Sequence, residues 1–194
     1  MTRRRLAIIT ASVAAAAGLV TLLLVAVPRR AAAPADGAAT TMSSPAAPLS
    51  QGRKIKAQLF YVSEDGGRLI SAERDVAYGE QPIDQAREIL NAQLAPVTPP
   101  LVSAIPAGTV LRALFITENG QAFVDLSRDA ATAHPGGSLN EMLTIYTIVH
   151  ALMFNLPAIT AVQLLVDGTE VDTLAGHVDL RRPLSKNLQL TTEN

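Results

Sequence analysis

The chain contains no cysteine and no tryptophan. Without thiols it can form no disulfide, offer no thiolate nucleophile and hold no Cys-ligated zinc. No cysteine is present to carry an N-terminal lipid either. Aromatic residues make up only 4% of the 194, so a core must be built mostly from Leu, Ile, Val and Ala. Charge is sparse as well: 17% of residues are charged, the net charge is −1, and Lys and Arg do not cluster beyond the N-terminus. A nucleic-acid binder needs a basic stripe to neutralise phosphates. None is present, and that class is set aside.

What the chain does have is a concentration of apolar residues at its start. Three arginines, Arg3 to Arg5, precede an uncharged run from Leu6 to Pro28. As a helix this run would measure roughly 34 Å, slightly more than the hydrocarbon core of a bilayer. A cleaved signal peptide has a shorter apolar region, of about 7 to 15 residues. Ala31-Ala32-Ala33 offers a cleavage site, but Arg29 and Arg30 stand between it and the apolar run. The expectation is an uncleaved transmembrane anchor over residues 1–30, with cleavage and secretion as the alternative. The arginines before the helix favour a cytoplasmic N-terminus, which places the remainder on the extracytoplasmic side. Residues 31–53 are rich in Ala, Pro, Ser and Gly and lack apolar periodicity, the composition of a disordered tether.

Residues 54–186 read as one domain, followed by a tail over 187–194. Ile55 to Val62 alternates like a strand, Glu64 to Gly67 turns the chain, and Arg68 to Tyr78 returns. Pro82 suits a first helical position, and Ile83, Ala86, Ile89, Leu90 and Leu94 follow at helical spacing. Asn119-Gly120 separates the runs 111–117 and 122–126, and predicts a type I′ hairpin with positive φ at both central residues. Ser138 and Glu141 have the spacing of a capping box at the start of a second helix. Its apolar stripe is Leu139, Met142, Leu143, Tyr146, Val149 and Met153, and Pro157 ends it. A last hairpin pairs 161–166 with 170–174 around Asp167-Gly168. The order ββαββαββ predicts an α+β fold, a mostly antiparallel sheet with both helices packed on one face.

Catalytic candidates are few. His134, His150 and His177 have no partners at metal-ligand spacing. Asp125, Ser127 and Asp129 lie close together, and Ser127 invites comparison with a nucleophile served by His150 or His177. No Gly-x-Ser-x-Gly turn accompanies it, and Ser or Asp after a strand commonly caps a turn. Gly66, Gly67, Gly136 and Gly137 do not form a phosphate loop. The expectation is therefore no catalytic residue, no cofactor and no metal, with Asp125, Ser127 and His177 as a candidate binding surface.

Six short motifs follow one another in order. They are Leu59-Phe60-Tyr61 with a Gly turn and Leu69; Ile105 to Thr109; Ala122 to Ser127; Gly136-Gly137-Ser138 with Glu141; Val162 to Gly168; and Leu174 to Leu180 before Pro183-Leu184. Together they resemble the GerMN domain of sporulation and spore-germination proteins, over about residues 55 to 184. The resemblance implies a non-enzymatic exported module, similar in fold to ring-building motifs that assemble at membranes. In spore formers the family is tied to a secretion-like complex between mother cell and forespore. Its members often carry two copies, and this chain has one. Where the family's second helix often reads Val-Asn-Thr-Leu, this chain has Val149-His150-Ala151-Leu152, and no catalytic residue carries over. Expected partners are the membrane through Leu6–Pro28, an envelope protein or a second copy, and peptidoglycan as the alternative ligand.

Overall fold

The computed structural model describes residues 52–192. The expected anchor and most of the tether lie outside the described residues. Among the described residues no helix is long and apolar enough to cross a membrane.

Strands β1 (Lys54–Val62) and β2 (Leu69–Ala77) form an antiparallel hairpin that is a sheet by itself. Helix α1 (Pro82–Leu94) starts on Pro82, whose missing N–H has no helical partner to lose. Strands β3 (Leu111–Ile116) and β4 (Gln121–Leu126) make the second hairpin. A short helix α2 (Asp129–Thr132) and the long α3 (Ser138–Asn155) then lead to β5 (Ala161–Val166) and β6 (Thr169–Glu170). The second sheet has the order β3-β4-β5-β6.

The architecture is α+β, but its layering differs from the expected single sheet with helices on one face. Ala86 and Leu90 of α1 and Ile145, Ile148, Val149 and Leu152 of α3 pack on Leu114, Val124, Val162 and Leu164 of the four-stranded sheet. Other faces of the same helices, through Ile89, Leu143 and Ala151, pack on Ala57, Leu59 and Phe60 of the hairpin. The helices thus form a middle layer. This explains why α3 is buried on all sides rather than along one stripe, as expected of a helix apolar all round. Leu139, placed on the predicted stripe, is exposed instead.

The second sheet is also mixed: β4 and β5 run parallel. Antiparallel neighbours can be joined by a tight turn, whereas parallel ones need a crossover, and α3 is that crossover. The predicted last strand, 170–174, shrinks to Thr169–Glu170 because Leu174 turns inward to meet α3. The two hairpin turns also exchange geometries. Thr117 N–H donates to the Gln121 carbonyl, leaving a three-residue loop in which only Gly120 has positive φ. A β-carbon on Gly120 would strike the Ala158 carbonyl. Positive φ at both central residues occurs instead at Asp167 and Gly168, as a two-residue I′ turn requires.

The hairpin layer is joined to the helices by side-chain amides acting as substitute strands. Gln93 accepts from Phe60 N–H and donates to Phe60 C=O, both at 2.8 Å. Asn155 does the same for Gln58, at 2.8 and 2.7 Å. At the end of β2, Gln85 accepts from Gly79 N–H and donates to Ala77 C=O. Gln93→Leu leaves both Phe60 backbone groups buried and unpaired, and is expected to cost about 2 kcal/mol. Urea unfolding checks it; a cost near zero would mean that water replaces the amide.

Candidate functional site

The residues singled out from sequence are mostly engaged in holding the fold. Asp125 is buried and accepts from Gly168 N–H at 2.7 Å, with the Arg112 guanidinium 3.6 Å away. It ties β4 to the turn after β5. Ser127 accepts from Val110 N–H and donates to Asp129 at 3.0 Å. This is the turn-capping role of Ser and Asp; no histidine is hydrogen-bonded to Ser127. His134 accepts from Gly136 N–H on Nδ1, so Nε2 carries the proton and faces Thr144 Oγ1 at 3.1 Å. Thr144 in turn donates to the Ala104 carbonyl, and the imidazole serves to pin a loop.

His150 lies on α3, fully buried among Phe60, Tyr146 and Phe154, with ring centroids 5.3 to 5.4 Å apart. Its Nε2 accepts from Asn187 N–H, which puts the proton on Nδ1, where no hydrogen-bond partner is found. Burial, and then the nearby Lys186 ammonium, lower its pKa from 6.5 to about 4. The imidazole is a neutral member of an aromatic cluster.

Glu141 is the feature that spacing misread. Gly137, not Ser138, is the N-cap of α3, and no side chain caps it. The Glu141 carboxylate is fully buried and turned away from the helix start. It accepts from Leu174 N–H, Ala175 N–H and His177 N–H, each at 2.8 Å, and from the His177 imidazole at 3.1 Å. Burial pushes its pKa up, but the three backbone donors and His177 outweigh burial and hold it below the ordinary value. His177 is thereby fixed on Glu141, and no hydrogen bond joins it to Asp125 or Ser127. The three-residue binding surface expected from sequence does not form one connected unit. A signal for the real arrangement was present: a lone Glu in the first turn of a helix apolar all round has to find donors elsewhere.

The face of the second sheet opposite the helices is covered at Asp125 and Gln163, the latter bonded to the Leu180 carbonyl, and opens to solvent toward the β3 edge. Phe115 is 64% exposed there, directly across β3–β4 from Phe123, with Ala113 beside it and Leu165 opposite Asp125. Antiparallel strands facing water normally alternate apolar-in and polar-out; this face departs from that. At one end Arg112 and Arg128 both bind Asp167. Among the described residues, no group of three or more His, Asp or Glu is placed to hold a metal ion.

Fold and surface together define a layered β/α/β domain that presents a partly apolar sheet face and holds its polar candidates in internal bonds. The family follows from the sequence match: residues 58–172, more than half the chain, match the Germane family model, "Sporulation and spore germination", and the chain belongs to that family. The fold is similar to a crystal structure of a "putative lipoprotein" from Clostridium perfringens, at TM-score 0.50 and 20% identity, over 73% of this chain and 95% of that one. It is also similar to the tandem GerMN domains of the sporulation protein GerM from Bacillus subtilis, at TM-score 0.54 and 15% identity. That match covers 69% of this chain and 46% of the tandem protein. Among curated proteins nothing matches.

Proposed function

We propose that this chain is a membrane-anchored, extracytoplasmic module whose Germane domain works by protein–protein contact in an envelope or sporulation-type assembly, without catalysis of its own. The observation that carries the reading is the contrast between its surfaces. The polar candidates Asp125, Ser127, Glu141 and His177 bond other parts of the fold, while Phe115 is exposed beside the half-buried Ala113 and Phe123. Leu6–Pro28 supplies the anchor by its length and lack of charge.

The test is fractionation followed by cross-linking. Full-length chain is expected in the membrane fraction, resistant to alkaline extraction, and deletion of residues 6–28 is expected to release it. Cross-linking in intact cells is expected to trap it in a larger species. A full-length chain that is soluble, or that never cross-links, would contradict the proposal. A second reading, binding of peptidoglycan, is favoured by a shallow hollow of about 180 Å3 lined by Asp172, Thr173, His177, Asp179 and Arg181. Co-sedimentation with purified wall, lost in Arg181→Ala, would support it; no sedimentation would remove it.

A further inference from the structure

The two sheets end in edges of different character. The outer edge of β2 carries Glu73, Arg74 and Asp75, all exposed, and the C-terminal segment already covers its beginning, with Thr192 N–H on the Leu69 carbonyl. Charged residues and covering segments are the usual protections of an edge strand. Strand β3, the edge of the four-stranded sheet, has neither along Ala113-Leu114-Phe115-Ile116. Its pairing with β4 alternates so that Leu114 and Ile116, opposite Val124 and Ala122, turn their backbone groups outward. No hydrogen bond to those outward groups is found among the described residues.

From this edge we infer that β3 pairs antiparallel with β3 of a second copy, joining two four-stranded sheets into one across a two-fold axis at Phe115. The inference rests on the assembly reading above and names the partner. The position of the axis follows from the strand itself. A bulge at Arg112 bounds the regular stretch on one side, and the turn after Thr117 bounds it on the other. Phe115 is the midpoint of 113–117. With the axis there, Leu114 faces Ile116 of the second copy and Ile116 faces its Leu114, so the outward backbone groups of both are satisfied. Each contact occurs twice, as an isologous interface requires.

Charge selects the same register. Just outside the paired stretch, Arg112 of one copy stands opposite Glu118 of the other; both residues are exposed. Moving the axis one residue, to Leu114, would set Arg112 against Ile116 and Glu118 against Val110; Arg112 keeps Asp167 and Asp125 in either register, but Glu118 would face no cation. On the solvent face the two Phe115 rings meet beside the two Phe123 rings, and cross-strand aromatic pairs are favourable there. Two chains anchored in one membrane also meet at a raised effective concentration.

The absence of native cysteine makes a direct test available. Residues facing each other in a non-hydrogen-bonded antiparallel pair have Cα atoms about 4.5 Å apart, within the range a disulfide spans. Full-length Phe115→Cys in membranes, treated with a mild oxidant, is expected to convert mainly to a disulfide-linked dimer. Glu73→Cys on the β2 edge is expected to stay monomeric under the same treatment. Phe115→Lys, with an unchanged far-ultraviolet spectrum, is expected to abolish the dimer seen by sedimentation in detergent. Glu118→Arg, which sets two cations against each other across the interface and leaves the Arg112–Asp167 pair intact, should weaken it. Equal cross-linking at positions 73 and 115 would overturn the interface. An oligomer indifferent to Phe115→Lys would overturn it too, while leaving the assembly reading in place. A strictly monomeric chain, with no cross-linked species in cells, would remove both.

Discussion

Glu141→Ala is expected to lower the stability of the domain by about 3–5 kcal/mol, the range for removing one side of a buried charged contact. Among the described residues the carboxylate is the only acceptor for the N–H groups of Leu174, Ala175 and His177. Its loss strands the buried Leu174 donor, which costs about 1–3 kcal/mol when unpaired, together with the part-buried donors of Ala175 and His177. Glu141→Gln keeps the shape but replaces one acceptor oxygen by an NH2 group facing donors, and should recover only part of the loss. Thermal unfolding of both variants is the measurement. An alanine variant within about 1 kcal/mol of wild type would show that the 174–177 loop re-bonds to water. The pH dependence has a definite sign. The carboxyl pKa is lower folded than unfolded, so its contribution is present above about 4.5 and is lost as pH falls through the folded value.

His150 acts in a separate and higher window. Its folded pKa is about 4 against 6.5 when exposed, so between those values the unfolded chain binds the proton and the folded chain does not. Stability from this residue is therefore full above pH 6.5 and declines as pH falls, levelling off below about 4. At roughly 1.4 kcal/mol per tenfold change in proton affinity, the loss by pH 4 is about 3 kcal/mol. His150→Phe, which suits the ring cluster of Phe60, Tyr146 and Phe154, should flatten this dependence. It sacrifices the bond from Asn187 N–H. Urea unfolding at pH 7 and pH 4 would decide the matter: equal slopes for variant and wild type would place the proton elsewhere.

Much of the fold was legible because its elements are locally determined. The helix starting at Pro82, the strand 161–166 and the hairpin of β1 and β2 each carry their own periodicity, and their observed bounds match within a residue or two. The layering was not legible, since no local pattern says that Ile89 faces one sheet and Leu90 the other. The parallel pairing of β4 and β5 did leave a trace in the strand–helix–strand order, which outweighs a preference for hairpins. Glu141 was misread because a capping box and a buried acceptor put the same residue type three places into a helix. Spacing cannot tell them apart; the donors lie more than thirty residues away. The exposed Phe115 was equally hidden, because alternation in β3 does not reveal which face the helices take.

The amide seal on β1 bears on the order in which the domain is made. Gln58 is closed off by Asn155, 97 residues later in the chain. A ribosome delivers β1 and β2 first, and the hairpin can zip as soon as both have emerged. Its other edge must then wait, with the Gln58 backbone exposed, until the whole of α3 has been synthesised. Long-range closures of this kind are slow to find. The β1–β2 hairpin is therefore the part of the newborn domain most in need of shelter, even though it is the first to look folded.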